Sequence, residues 1–157
     1  MSWIRKWTNS KVKYSWKKVG LACEHIASQC DDVNCVVAVA RGGLVPASII
    51  ANRLNIKNVY SIGLSSYVMQ SDGTQTQQDM DVYQTIDKLK CDKILIVDDI
   101  SDKGTTFDYV KEHVNRICTA RVITGAIVYK PGTSHVPDIV YDQVPDNKWV
   151  VFPWEKE

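Results

Sequence analysis

Short continuous apolar runs alternate along this chain with stretches whose apolar residues recur every three or four positions, and that alternation predicts strands interleaved with helices. Residues 15–30 predict the first helix, with Ser15 as its N-cap and Trp16, Val19, Cys23, Ile26 and Cys30 on one face. Residues 35–40, Cys-Val-Val-Ala-Val-Ala, read as a strand buried on both faces, as in a parallel sheet. Arg41-Gly42-Gly43 marks a turn, and Pro46 at a first helical position opens a helix through Leu54. Residues 58–64 predict the next strand, Ile94-Leu95-Ile96-Val97 a third buried on both faces, and residues 121–129 a fourth. A helix over residues 105–117 separates the last two. This order predicts an α/β fold whose central sheet is mostly parallel and flanked by helices. Residues 136–157, rich in Pro and Trp, predict short strands and loops.

One stretch breaks the pattern. Residues 66–85 are rich in Gln, Asp, Ser and Thr and poor in aliphatics. So long a polar segment in a compact domain predicts a lid, with a plain surface insertion as the alternative.

Composition narrows the classes. At 157 residues, 45% hydrophobic and 24% charged, the chain suits one domain spanning residues 1–157. A net charge of +1 carries no global bias toward nucleic acid or an anionic membrane. Arg5, Lys6, Lys11, Lys13, Lys17 and Lys18 cluster early, and read first as a solvated helix face with a loose terminus, and otherwise as a phosphate or membrane contact. The five cysteines, Cys23, Cys30, Cys35, Cys91 and Cys118, include no CxxC pair and are odd in number. That argues against a metal cluster or disulfide framework and for a reducing compartment, so the cytoplasm is expected. The basic, Trp-rich residues 1–18 have no apolar core of a signal peptide, and no run reaches the roughly 18 apolar residues of a membrane span.

Three segments put polar or glycine-rich residues where predicted parallel strands end, the place where such sheets bind ligands. In the first, Asp98-Asp99-Ile100-Ser101-Asp102-Lys103-Gly104-Thr105-Thr106, three carboxylates precede a glycine turn, two hydroxyls and a helix start. Backbone N–H groups at a helix N-terminus, with Thr hydroxyls, cradle phosphate. Carboxylates instead bind sugar hydroxyls or a Mg²⁺ that holds phosphates. The composition therefore asks for a ligand with both a phosphate and a polyol or metal-bound part, such as a sugar phosphate. A capped helix after a polar turn is the plainer alternative. Neither GxxxxGK[ST] nor GxGxxG occurs, so nucleoside triphosphate and dinucleotide binding lose their usual marks. In the second segment, residues 40–46, the two glycines permit close backbone approach and Arg41 offers a fork for an anion. In the third, Tyr129-Lys130-Pro131, the lysine is either a surface charge or a cation over the same rim.

Residues 97–106 resemble the phosphoribosyl pyrophosphate motif of the type I phosphoribosyltransferases, and within them the bacterial 6-oxopurine branch. Residues 39–46 are similar to that branch's first loop, and Ser65-Ser66-Tyr67 to the start of its lid. Tyr129-Lys130-Pro131, Asn147-Lys148-Trp149-Val150 and Pro153-Trp154-Glu155 resemble its purine-binding hood. The likeness spans residues 15–155 and implies a type I phosphoribosyltransferase fold with a flexible lid near 66–85 and a small C-terminal hood near 131–157.

The resemblance also implies roles. Asp98 and Asp99 would hold the ribose hydroxyls, directly or through Mg²⁺, with Glu155 near a second Mg²⁺ where the family has Asp. Asp102 would be the general base toward the purine, and Lys103, Gly104, Thr105 and Thr106 would hold the 5′-phosphate. Arg41 and Gly42, next to a non-trans peptide, would bind pyrophosphate with Ser66 and Tyr67 of the lid. Lys130 would meet the purine 6-oxygen, with Trp149 stacked on the ring and Val150 beside it. The implied substrates are hypoxanthine, xanthine or guanine with phosphoribosyl pyrophosphate, and the implied assembly is a homodimer or homotetramer. Lys103 departs from the family's usual Thr, which either strengthens phosphate binding or leaves the side chain in solvent. The Gln-rich lid departs too.

Elementary chemistry agrees. Positive charge builds on the ribose as pyrophosphate leaves, and a carboxylate nearby helps both as base and as counter-charge. An ammonium has donors only, so Lys130 satisfies a 6-oxo group but faces the 6-amino group of adenine donor to donor. Two alternatives stand beside this: a regulator of transcription or RNA that keeps the motif, and a transferase for another base such as a pyrimidine. Nucleic-acid binding calls for a basic face with aromatics, which only the early Trp/Lys cluster offers. Asp102→Asn is expected to cut turnover far more than it weakens phosphoribosyl pyrophosphate binding. Steady-state kinetics with equilibrium binding checks this, and equal losses in both would rule out the base role.

Overall fold

The strand of residues 35–40 sits next to the strand that carries the acidic segment, and this pairing sets the layout. The computed structural model describes residues 10–65, 68–69, 75–76 and 80–156. In chain order the elements are β1 (Lys11–Lys13), α1 (Trp16–Ser28), β2 (Cys35–Ala40), α2 (Leu44–Arg53), β3 (Val59–Ser65), β4 (Val68–Met69), β5 (Gln75–Thr76), β6 (Asp81–Gln84), β7 (Lys93–Ser101), α3 (Thr105–Ile117), β8 (Arg121–Tyr129), β9 (Ile139–Gln143) and β10 (Trp149–Val151). Six strands form the central sheet in the order β6-β3-β2-β7-β8-β9. Every neighbouring pair in it is parallel except β3 with β6.

Alternation within the apolar strands divides the core. Val36, Ala38, Leu95 and Val97 pack with α1 and α2, through Val19, Cys23, Ile26 and Ile50. Cys35, Val37, Val39, Ile94 and Ile96 face the other way, onto Phe107, Val110 and Val114 of α3. Both faces are covered, so these strands read as unbroken apolar runs. From β2 the chain moves outward to β3 on one side, and from β7 it moves outward to β8 and β9 on the other. The gap between the carboxyl ends of β2 and β7 is therefore the switch point where a parallel sheet opens a crevice.

Several expectations are corrected. Pro46 is the third residue of α2, not the first. The first four N–H groups of a helix lack intrahelical acceptors, so proline fits anywhere in that turn. The third strand does not stop at Val97 but runs to Ser101, because β8 keeps pairing with it as far as Tyr129. Trp16 lies outside the core, 56% exposed, with its ring 5.9 Å from that of Trp154. The polar stretch of residues 66–85, for which no strand was predicted, contains the short antiparallel pair β4–β5 and ends in β6, an exposed edge strand against β3. Ser66, Tyr67, Trp3, Trp7, Arg5 and Lys6 lie outside the described residues.

The tail consists of short strands, as expected. β10 pairs in parallel with β1, Lys11 opposite Trp149 and Lys13 opposite Val151. Buried Tyr14 extends this tie: its N–H donates to the Val151 carbonyl (2.9 Å) and its hydroxyl to Asp142 Oδ2 (2.7 Å). Burial, then the Asp142 carboxylate, pushes the Tyr14 phenol well up. All five cysteines are free thiols, and burial pushes Cys23 and Cys30 up to about 11. Among the described residues no helix is long and apolar enough to cross a membrane.

Candidate active site

At the switch point the turn after β2 lies directly on the end of β7. The Ala40–Arg41 peptide is cis, and the Gly43 N–H donates to the Val39 carbonyl at 2.8 Å. A Cβ on Gly42 would fall inside the Asp99 carboxylate, and one on Gly43 would strike the Val97 and Val39 carbonyls. Only glycines let the two segments approach this closely. The structure thus brings Gly42, from the second predicted segment, against Asp99, from the first, and leaves its neighbour Arg41 exposed.

Asp98 and Asp99 are both buried within β7. Asp98 Oδ1 accepts from the Asp99 N–H (2.8 Å), and Asp99 Oδ1 from the Ile100 N–H (2.7 Å). Burial, reinforced by the neighbouring Asp99 charge, pushes the Asp98 carboxyl well above its usual range. Burial pushes Asp99 up to about 6, and the Glu155 carboxylate adds to the rise against hydrogen bonds that lower it. Glu155 is itself held by the Phe152 N–H, which donates to its Oε2 at 3.0 Å. Adjacent buried carboxylates with raised pKa values favour any hard cation or hydroxyl donor that reaches them. Among the described residues no group of three or more acidic, His or Cys side chains is arranged to hold a metal by itself. Two carboxylates with ligand oxygens nevertheless match the way Mg²⁺ is commonly bound.

Past β7 the chain turns sharply. Gly104 has a φ of 87° and caps α3, whose first residues are Thr105 and Thr106. The Asp108 N–H already bonds the Gly104 carbonyl (3.0 Å), which leaves the preceding N–H groups as the free end of the helix. Both threonines are half-buried, whereas Asp102 and Lys103 are exposed at the mouth. Such a turn suits a phosphate, with the helix dipole adding to the attraction.

Lys130 follows β8 and is buried, 4% exposed. Its N–H donates to the Ser101 carbonyl (3.0 Å), placing it beside the acidic segment. Its ammonium donates to the carbonyls of Lys148 (2.5 Å) and Asp146 (3.4 Å). This anchors the hood, where Trp149 is 55% exposed and Val150 is buried. Lys130 is thus no surface charge. That hood carbonyls hold the Lys130 ammonium, and that the loop 133–135 lies behind Gly104, went unnoticed in the sequence. Backbone acceptors leave no mark there, and the only signal for the loop was a polar Thr133-Ser134-His135 run.

A turn suited to phosphate, preceded by paired carboxylates at the switch point of a parallel sheet, points to the phosphoribosyltransferase class. The phosphoribosyl transferase domain family matches residues 14–157, and the chain belongs to it. The chain is 32% identical over 153 residues to the xanthine-guanine phosphoribosyltransferase of Idiomarina loihiensis, covering 94% of this chain and 89% of that protein. It is 34% identical to the enzyme of the same name from Nitratidesulfovibrio vulgaris, covering 78% of this chain and 69% of that one. A solved purine phosphoribosyltransferase from Pyrococcus horikoshii superposes with a TM-score of 0.83 at 31% identity, covering 94% and 95% of the two chains. The fold is that of the type I phosphoribosyltransferases, as expected.

The Asp pair makes a pH prediction. The folded pKa of Asp99, about 6, lies above its ordinary 3.8, so between those values the folded state holds a proton that the unfolded chain has lost. Its contribution to stability is present at low pH and is lost as pH rises through about 6. Asp99→Asn should flatten this slope and stabilise the ligand-free protein near neutral pH by about 1–3 kcal/mol. Thermal denaturation across the acid-to-neutral range checks it, and an unaltered slope would contradict it.

Proposed function

We propose that the protein is a purine salvage phosphoribosyltransferase, converting hypoxanthine, xanthine or guanine plus phosphoribosyl pyrophosphate to the nucleoside monophosphate and pyrophosphate. The observation that carries the 6-oxopurine part is buried Lys130. Two of its three donors go to hood carbonyls, which leaves one for a ligand acceptor among the described residues. A 6-oxo group meets that need and a 6-amino group does not.

In this reading Asp98 and Asp99 bind the ribose hydroxyls, and Lys103, Gly104, Thr105 and Thr106 hold the 5′-phosphate. Arg41 and Gly42 receive pyrophosphate, joined by Ser66 and Tyr67 of the lid. As the bond between ribose C1 and pyrophosphate breaks, positive charge spreads over the sugar ring. Asp98 and Asp99 lie under that ring and offset the charge. Asp102 takes the purine's proton as the new bond to the base forms. Trp149 and Val150 clasp the ring, and the lid excludes competing water. Mg²⁺ suits Asp98 and Asp99, with Glu155 beside a second ion, and when bound it offsets the charge of the pyrophosphate leaving group. A cytoplasmic homodimer or homotetramer, formed as one domain with a hood over residues 131–157, completes the proposal.

The test is a panel of hypoxanthine, xanthine, guanine, adenine and uracil, each with phosphoribosyl pyrophosphate and Mg²⁺. Pyrophosphate release is expected with the oxopurines and not with adenine or uracil. No pyrophosphate release with any of the five bases would refute the enzyme and favour a regulator. Lys130→Ala is expected to raise KM for the oxopurines about tenfold or more, the effect of leaving an acceptor unpaired, while KM for phosphoribosyl pyrophosphate holds. An unchanged base preference would place the lysine elsewhere.

A further inference from the structure

Behind the phosphate turn lies a histidine that none of the assigned roles uses. The His135 side chain is 12% exposed and its ring stacks on Phe107 of α3, with centroids 5.1 Å apart. Nδ1 stands 3.2 Å from Asp108 Oδ1, and Nε2 stands 2.9 Å from Thr124 Oγ1. Thr124 is fully buried in β8 and is tied to Asp138, its N–H donating to Asp138 Oδ2 at 2.8 Å. The His135 carbonyl accepts from the Ser101 hydroxyl at 2.6 Å. Next to it, the Ser134 N–H donates to the Lys103 carbonyl (2.8 Å) and the Ser134 hydroxyl to Asp108 Oδ2 (2.6 Å). A Cβ on Gly104 would collide with Thr133, Ser134 and the His135 N–H, so this loop lies flush against the turn.

Asp108 is the puzzle that this arrangement answers. It sits in the first turn of α3, where a carboxylate is favoured by the helix dipole. A phosphate bound at the same terminus competes for that positive end and is repelled by the carboxylate. His135 and Ser134 each take one Asp108 oxygen, which holds the carboxylate on the 134–135 loop and partly offsets its charge. Phe107, flanking Asp108, is fixed by the same imidazole.

We propose that His135 is a positioning residue for the 5′-phosphate: it braces the turn of residues 101–106 against β8 and restrains Asp108 from opposing the bound phosphate. This rests on the phosphoribosyltransferase reading of the turn. The test uses the full chain, with inosine 5′-monophosphate and hypoxanthine as calorimetric probes and steady-state constants alongside. His135→Gln keeps reach toward Thr124 but not the Nδ1 position, whereas His135→Asn keeps a donor near that position. His135→Gln should weaken inosine 5′-monophosphate binding and raise KM for phosphoribosyl pyrophosphate, each about tenfold, with KM for hypoxanthine unchanged. His135→Asn should stay close to wild type, and adding Asp108→Asn to His135→Gln should recover most of the loss. His135→Ala should match the Gln variant, and the Asn–Gln comparison decides should Ala not fold. Equal behaviour of Asn and Gln, no recovery with Asp108→Asn, or equal losses for nucleotide and base would overturn the proposal. Wild-type nucleotide binding with the expected variant pattern but no turnover would end the enzymatic reading and leave the brace standing.

Discussion

Burying two adjacent carboxylates in a strand is unfavourable, because desolvation penalises the charged form and each charge opposes the other. At Asp98 and Asp99 the sheet accepts that cost at the one place where neighbouring parallel strands diverge in connectivity. The surroundings follow from it. Gly42 and Gly43 lack side chains because the carboxylate of Asp99 and the carbonyl of Val97 occupy that space. The pairing of β7 with β8 continues to Ser101, so the acids ride on a rigid strand rather than a loop. A site made this way is poised for a cationic or hydroxyl-rich ligand before one arrives, which is what preorganisation means in a polar site.

The second half of the site is assembled from backbone. Lys130 reaches into the hood and is held by carbonyls of Asp146 and Lys148. The hood in turn is held by β1 and by Tyr14, whose ring lies 5.3 Å from that of Phe152. A single residue therefore links the end of β7 to the hood: the backbone N–H of Lys130 donates to the carbonyl of Ser101, and its buried ammonium to the carbonyls of Asp146 and Lys148. The two hood carbonyls fix its rotamer, which makes its remaining donor directional.

Much of this was legible from residue order. The apolar run of residues 35–40 and the helix of residues 105–117 coincide with β2 and α3, because burial on both sheet faces and a single amphipathic face leave strong patterns. The polar end of β7 was not legible as strand, since Asp-Asp-Ile-Ser has neither alternation nor an unbroken apolar run. β6 was hidden similarly: an exposed edge strand needs no apolar face. The acidic segment, the Arg41-Gly42-Gly43 turn and Lys130 stood out as chemistry, yet the approach of Gly42 to Asp99 and of Lys130 to Ser101 depends on strand order, which single-sequence patterns do not encode. The loop of residues 133–135 carried no periodicity, although its hydrogen bonds bind Ser101 and Asp108, on either side of the Gly104 turn, from behind.

The pairing of β1 with β10 joins residues from near the two extremes of the sequence, Lys11 with Trp149. Contacts so distant along the chain close late, because loop entropy opposes them until the intervening sheet is formed. During synthesis β2, β7, α3 and the turns between them are complete well before residue 149 emerges. The segment around Trp149 is then the last part to be sealed: the crevice between β2 and β7 comes first, and the enclosure of Lys130 only after the final strand finds its partner.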